Sequence, residues 1–145
     1  MTERIKDKIK QIEKFLEFLL EIKPSSLEEY MKDEKTKAAC ERFVQKLIDA
    51  IVDTAYIAIR EMKLLSPENE EQAFDILHKK GIISRQLCER LKDAKSMRNF
   101  IVHEYGEVDD EIVFNSIHEE LEKDVSEFII RIKVFIETES HEKRK

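Results

Sequence analysis

The sequence predicts an all-α protein, an up-and-down helical bundle of four longer helices plus one or two short helices. Three observations carry that expectation. Apolar residues recur at spacings of three and four along most of the chain, the period of an amphipathic helix. Among 145 residues there are only 2 glycines and 2 prolines, too few for a hairpin-built sheet, which needs a turn about every ten residues. Hydrophobic residues make up 41% and charged residues 40%, the balance of helices with one buried and one wetted face. The length fits one compact domain, placed at 1–138 with a polar, frayed tail at 139–145.

Each element has its own local signal. Ile5, Ile9, Ile12, Leu16, Leu19 and Ile22 form the stripe of a first helix, which Pro24 stops by forcing Lys23 out of helical geometry. Ser26 with Glu29 reads as a capping box opening a short helix through Met31. Asp33 caps a long third helix with the stripe Cys40, Val44, Leu47, Ile51, Ala55 and Ile59. Ser66-Pro67 reads as the start of a fourth helix, a cap followed by proline. That helix carries Ala73, Phe74 and Leu77, and Gly81 closes it in left-handed geometry. Ser84 caps the next helix, Gly106 interrupts it, and Asp109 caps a last long helix burying Val113, Ile117, Leu121, Val125, Phe128, Ile132 and Phe135.

Several function classes are excluded early. No GxGxxG or GxxxxGK[ST] occurs, so no glycine-built phosphate loop is available. The net charge of −6 argues against a general nucleic-acid coat. Cys40 and Cys88 form no CxxC pair and read as reduced core fillers of a cytoplasmic protein. No apolar run reaches the length of a membrane span, and no cofactor is expected.

One helix breaks its own pattern. At about 100° per residue, with Arg98 as zero, Leu87, Leu91, Ala94 and Ile101 all fall within about 60° of Arg98. An arginine therefore occupies the middle of an apolar stripe, where an unpaired guanidinium is costly. Asn99 and His103, four residues apart, share the adjacent face, and Tyr105 follows. An imidazole that moves protons near neutrality and a permanent cation matched to phosphate oxygens suit phosphodiester cleavage. The plain alternative is an arginine bonded to a helix end and a histidine on a wetted face. From Lys79 to Arg98 seven basic residues stand against two acidic ones, a local +5 that would steer a phosphate polymer. From Glu104 to Glu127 the balance reverses, with ten acidic residues and one lysine, read as a solvated face. Asp49 and Asp53 share a face of the third helix, and Asp53 is one possible partner for Arg98. His118 with Glu122 reads as exposed polar surface rather than a metal site.

The segment Met97-Arg98-Asn99-Phe100-Ile101-Val102-His103-Glu104-Tyr105 resembles the R-N-x-x-x-H-x-Y signature of HepT-like proteins, a branch of the HEPN superfamily. The block from Glu41, the Ser66-Pro67 step, the segment around Phe74–Ile83 and the terminal helix extend the resemblance over nearly the whole chain. It implies the toxin of a toxin–antitoxin pair, a metal-independent endoribonuclease whose active site lies where two protomers meet. Carried over by residue, Arg98 and His103 would be catalytic and Asn99 would position the site or contact RNA. Tyr105 would be modified with AMP by a cognate minimal nucleotidyltransferase antitoxin. The expected partners are thus RNA, that antitoxin and a second copy of the chain or a higher oligomer, with no membrane. The alternative is a non-catalytic helical subunit that docks the nucleotidyltransferase.

Overall fold

The computed structural model describes residues 2–103 and 109–144. The described chain is helical between short connections, in the order α1 (Thr2–Ile22), α2 (Leu27–Lys32), α3 (Glu34–Glu61), α4 (Glu70–Lys79), α5 (Arg85–His103), α6 (Asp110–Asn115), a π-helical segment (Ser116–Leu121) and α7 (Glu122–Arg144). The four long members of the bundle are α1, α3, α5 and the continuous run from α6 to α7, with α2 and α4 as the short ones. The expected interruption at Gly106 falls outside the described residues.

The helix starts follow from side-chain acceptors placed one turn ahead of orphan backbone donors. Ser26 Oγ accepts from the Glu29 amide at 3.2 Å. Asp33 accepts from Lys35 and Thr36, Ser84 from Leu87 and Asp109 from Glu111 and Ile112. One expected start is wrong. The fourth helix begins not at Ser66-Pro67 but at Glu70, where Asn69 Oδ1 accepts from the Gln72 amide at 2.8 Å. The Gln72 side chain reaches back to the Glu68 amide, so Asn69 and Gln72 satisfy two donors together and outcompete the serine.

Two helix ends share one geometry. Gly81 sits at φ 75° after α4, with its amide bonded to His78 O and that of Ile82 to Leu77 O, the pairing of a Schellman turn. Lys63 repeats the pattern after α3 at φ 59°, bonding Arg60 O while Leu64 bonds Ile59 O. A lysine there carries a backbone conformation that costs about 1 kcal/mol or more for a residue with a Cβ.

Helix α3 is the axis of the core, with Cys40, Val44, Leu47, Ile51, Ala55 and Ile59 all buried. It packs against α1, α2, α4 and α5, while α7 covers α5 and α1. The expected terminal stripe is buried in full, but by a route the spacing did not announce. Val113, Ile117, Leu121 and Val125 are each four apart, so a regular α-helix would rotate each by about 40° from the last. The π-helical segment, with its wider turn, absorbs that drift and keeps all four facing inward. The last helix runs to Arg144, through a stretch lacking glycine and proline. No helix among the described residues is long and apolar enough to cross a membrane.

Cys40 and Cys88 are free and buried; burial pushes the Cys40 thiol up to about 11 and raises Cys88 as well. Neither is expected to react with a thiol reagent at pH 8 in the folded protein, and both should react in denaturant, as counted by mass. Replacing Lys63 with glycine should raise the unfolding free energy by up to about 1 kcal/mol by removing the strained conformation, measured from the urea midpoint.

Candidate active site on the fifth helix

Arg98 is buried, at 8% exposure, in the middle of the α5 stripe. Its cost is met by two carboxylates from other helices. Nη1 donates to Asp49 Oδ1 of α3 and Nη2 to Glu70 Oε1 at the start of α4, both at 2.5 Å. Nε and Nη2 also donate to Asn99 Oδ1, at 3.0 and 2.8 Å. Burial works against the charged guanidinium, but the hydrogen bonds and charges of Glu70 and Asp49 outweigh it and raise its pKa above the ordinary arginine value. Burial and the Glu70 charge raise the Tyr56 phenol in the same neighbourhood.

Of the two aspartates on the α3 face, Asp49 is the partner. Asp53 instead pairs with Lys8 of α1 at 3.0 Å. Glu70 was missed in the sequence, since it lies 28 residues from Arg98 and carries no local mark. A pattern was nevertheless present: Glu70 meets Arg98, Glu71 meets Lys95 at 3.2 Å and Asp75 meets Lys92 at 2.6 Å. Residue numbers rise along α4 as they fall along α5, the ladder of two antiparallel helices joined by a short turn.

This ladder corrects the reading of the basic segment as a free positive stripe. Arg98, Lys95 and Lys92 pair with α4, and Arg90 pairs with Asp124 and Glu127 of α7 at 2.6 and 3.0 Å. Lys79, Lys80 and Arg85 remain exposed at the far end. The acidic run is likewise not wholly solvated, since Asp124 is buried and Asp110 holds Lys37 at 2.7 Å.

His103 is exposed at the end of α5, and Asn99 is half-buried one turn before it. The exposed side chains of Phe100 and Val102 lie on the same stretch. Tyr105 lies outside the described residues. His118 is not exposed polar surface: its Nε2 lies 2.7 Å from Pro24 O and its ring 4.2 Å from that of Phe114, tying the π-helical segment to the α1–α2 turn. A groove of about 710 Å³ between α1 and α7, lined by Ile9, Ile136 and His141 among others, contains none of the candidate residues.

A helical bundle with an Arg-Asn-x-x-x-His face on its penultimate long helix defines a class, and the comparisons agree with it. The model of the family described as "Ribonuclease HepT-like" matches residues 5–132, and the chain belongs to that family. It is 31% identical over 90 residues to the mRNA nuclease HepT of Shewanella oneidensis, covering 62% of this chain and 67% of that protein. It is 26% identical over 113 residues to the tRNA nuclease HepT of Aphanizomenon flos-aquae, covering 78% and 77%. Among solved structures it resembles a tri-AMPylated Shewanella oneidensis HEPN toxin in complex with MNT antitoxin. That likeness has a TM-score of 0.86 and 25% identity, over 92% of this chain and 99% of that one.

Replacing Arg98 with methionine should destabilise the fold by about 1–3 kcal/mol, because Asp49 and Glu70 lose their cation. Adding Asp49→Asn and Glu70→Gln to that variant should restore part of the loss, as read from urea midpoints.

Proposed function

We propose that this protein is the toxin of a toxin–antitoxin pair and cleaves RNA without a metal ion, using the Arg98–His103 face of α5. The observation that carries the reading is Arg98 itself. The fold places an arginine in an apolar stripe and supplies two carboxylates from separate helices to keep it charged, an arrangement that a packing role alone does not require. Membership of a ribonuclease family and relatives named as mRNA and tRNA nucleases support the same reading.

In the proposed step, His103 takes the proton of an RNA 2′-hydroxyl as the 2′-oxygen attacks the adjacent phosphorus. It returns that proton to the departing 5′-oxygen, leaving a 2′,3′-cyclic phosphate and a 5′-hydroxyl. The atoms balance without water or metal. The Arg98–Asn99 pair supports the charge that builds on the phosphoryl oxygens. A second protomer packs against the exposed Phe100 and Val102 beside the site. A minimal nucleotidyltransferase transfers AMP from ATP to the Tyr105 hydroxyl, releasing pyrophosphate. Each added phosphodiester brings negative charge to the end of α5 and competes with RNA. The AMPylated toxin in complex with its antitoxin, the similar solved structure, supports this partner.

One observation favours a second reading, a non-catalytic subunit that docks the nucleotidyltransferase. Arg98 is enclosed, and with Asp49 and Glu70 it forms a group of net charge −1.

Purified protein is expected to cleave RNA in EDTA and His103→Ala to lose at least about 10²-fold in rate, the usual scale of proton-transfer catalysis. Cleavage lost in EDTA, or retained in His103→Ala, would overturn the mechanism, whereas stable co-purification with the transferase and no cleavage would favour the docking subunit. Co-expression with the transferase should add mass in AMP-sized steps, and Tyr105→Phe should abolish them.

A further inference from the structure

We propose that the buried cation acts through its neighbour. Asp49 and Glu70 hold Arg98, Arg98 fixes the Asn99 amide, and the Asn99 Nδ2 hydrogens beside His103 are the donors that meet the RNA phosphate. This inference rests on the ribonuclease reading above and assigns positioning roles within it to Asp49, Glu70 and Arg98.

The donor inventory leads there. A guanidinium has five N–H groups, and four hydrogen bonds to Asp49, Glu70 and Asn99 already occupy it. At 8% exposure it has no open edge with which to take a phosphate in two-pronged fashion. Two carboxylates also surround one cation, so the group as a whole repels an incoming phosphate.

Asn99 is placed differently. Its Oδ1 accepts from both Nε and Nη2 of Arg98, which uses both lone pairs and fixes the plane of the amide. The Nδ2 branch then points away from the guanidinium with two hydrogens to give. A cation bonded to the amide oxygen draws electron density from the nitrogen, so those hydrogens become stronger donors than those of an ordinary asparagine. His103 follows one turn later on the same side of α5, a rise of about 6 Å. The two side chains can thus meet one phosphodiester, Asn99 at a phosphoryl oxygen and His103 at the sugar oxygens. A preorganised neutral donor beside a proton-carrying imidazole is the arrangement that stabilises charge developing in a transition state.

A double-mutant cycle on the full protein tests this assignment. Asn99→Asp keeps an oxygen for Arg98 but removes both donors, and Asn99→Ala removes them without adding charge. Each is expected to lower kcat by about 10²–10³-fold with KM changed little. Glu70→Gln keeps an acceptor but drops the charge and should lower kcat several-fold in the parent. In the Asn99→Ala background, Glu70→Gln and Arg98→Lys should produce no further loss. With an uncleavable 2′-deoxy oligonucleotide, the Asn99 side-chain amide NMR signal should shift, and Arg98→Lys should diminish that shift. Losses that multiply across Arg98 and Asn99, or a Glu70→Gln variant with higher kcat/KM, would mean that the guanidinium meets the phosphate itself and would overturn the proposal. Parent protein that does not cleave RNA, or His103→Ala that cleaves as well as the parent, removes the ribonuclease reading and the proposal together. Multiplying losses in a parent that passes both controls remove the proposal alone.

Discussion

The contact between Arg98 and its two carboxylates is the constraint around which the rest of the structure is arranged. A guanidinium inside an apolar stripe is tolerated only when opposite charges reach it with good geometry. Here they come from α3 and α4, so three helices must hold a common register at one point. The capping of α4 by Asn69 sets where Glu70 stands, and the burial of α3 sets where Asp49 stands. Shifting either helix by one residue would leave a charge without its partner.

This contact also changes how the polar corner of α5 works. A free arginine beside a histidine would be a general phosphate clamp. An arginine already committed to two acids and an amide is a fixed element, comparable to a second layer of side chains behind a reactive group. The half-buried Asn99 and the exposed His103 are the polar groups that this corner turns toward solvent, while the charge stays inside where solvent screens it least.

Much of the fold was legible because its signals are local. Ser26, Asp33, Ser84 and Asp109 each cap the helix they were expected to cap, since a cap is decided within three residues. The apolar stripes were legible for the same reason. What was misread depends on competition or distance. Ser66-Pro67 is a good start signal that loses to the paired donors of Asn69 and Gln72. The π-helical segment was latent in three successive spacings of four, a drift that a stripe counted residue by residue does not register. That a cation, an amide and an imidazole share one helix was legible in the spacing of Arg98, Asn99 and His103. The choice of Asp49 over Asp53, the contact made by Glu70 and the pairing of four of the seven basic residues were not, because they depend on which helices lie side by side.

The two left-handed turns at Lys63 and Gly81 bracket α4 with the same geometry. Between them hangs a ten-residue strut that presents Glu70, Glu71 and Asp75 to α5. The electrostatic character of the α5 face is therefore written partly on a different helix from Arg98, Asn99 and His103. Glu71 and Asp75 set how much positive charge Lys95 and Lys92 leave on that face, whereas the Arg98 contact rests on Asp49 and Glu70. The charge of the α5 face and the Arg98 contact are, in this architecture, separately adjustable.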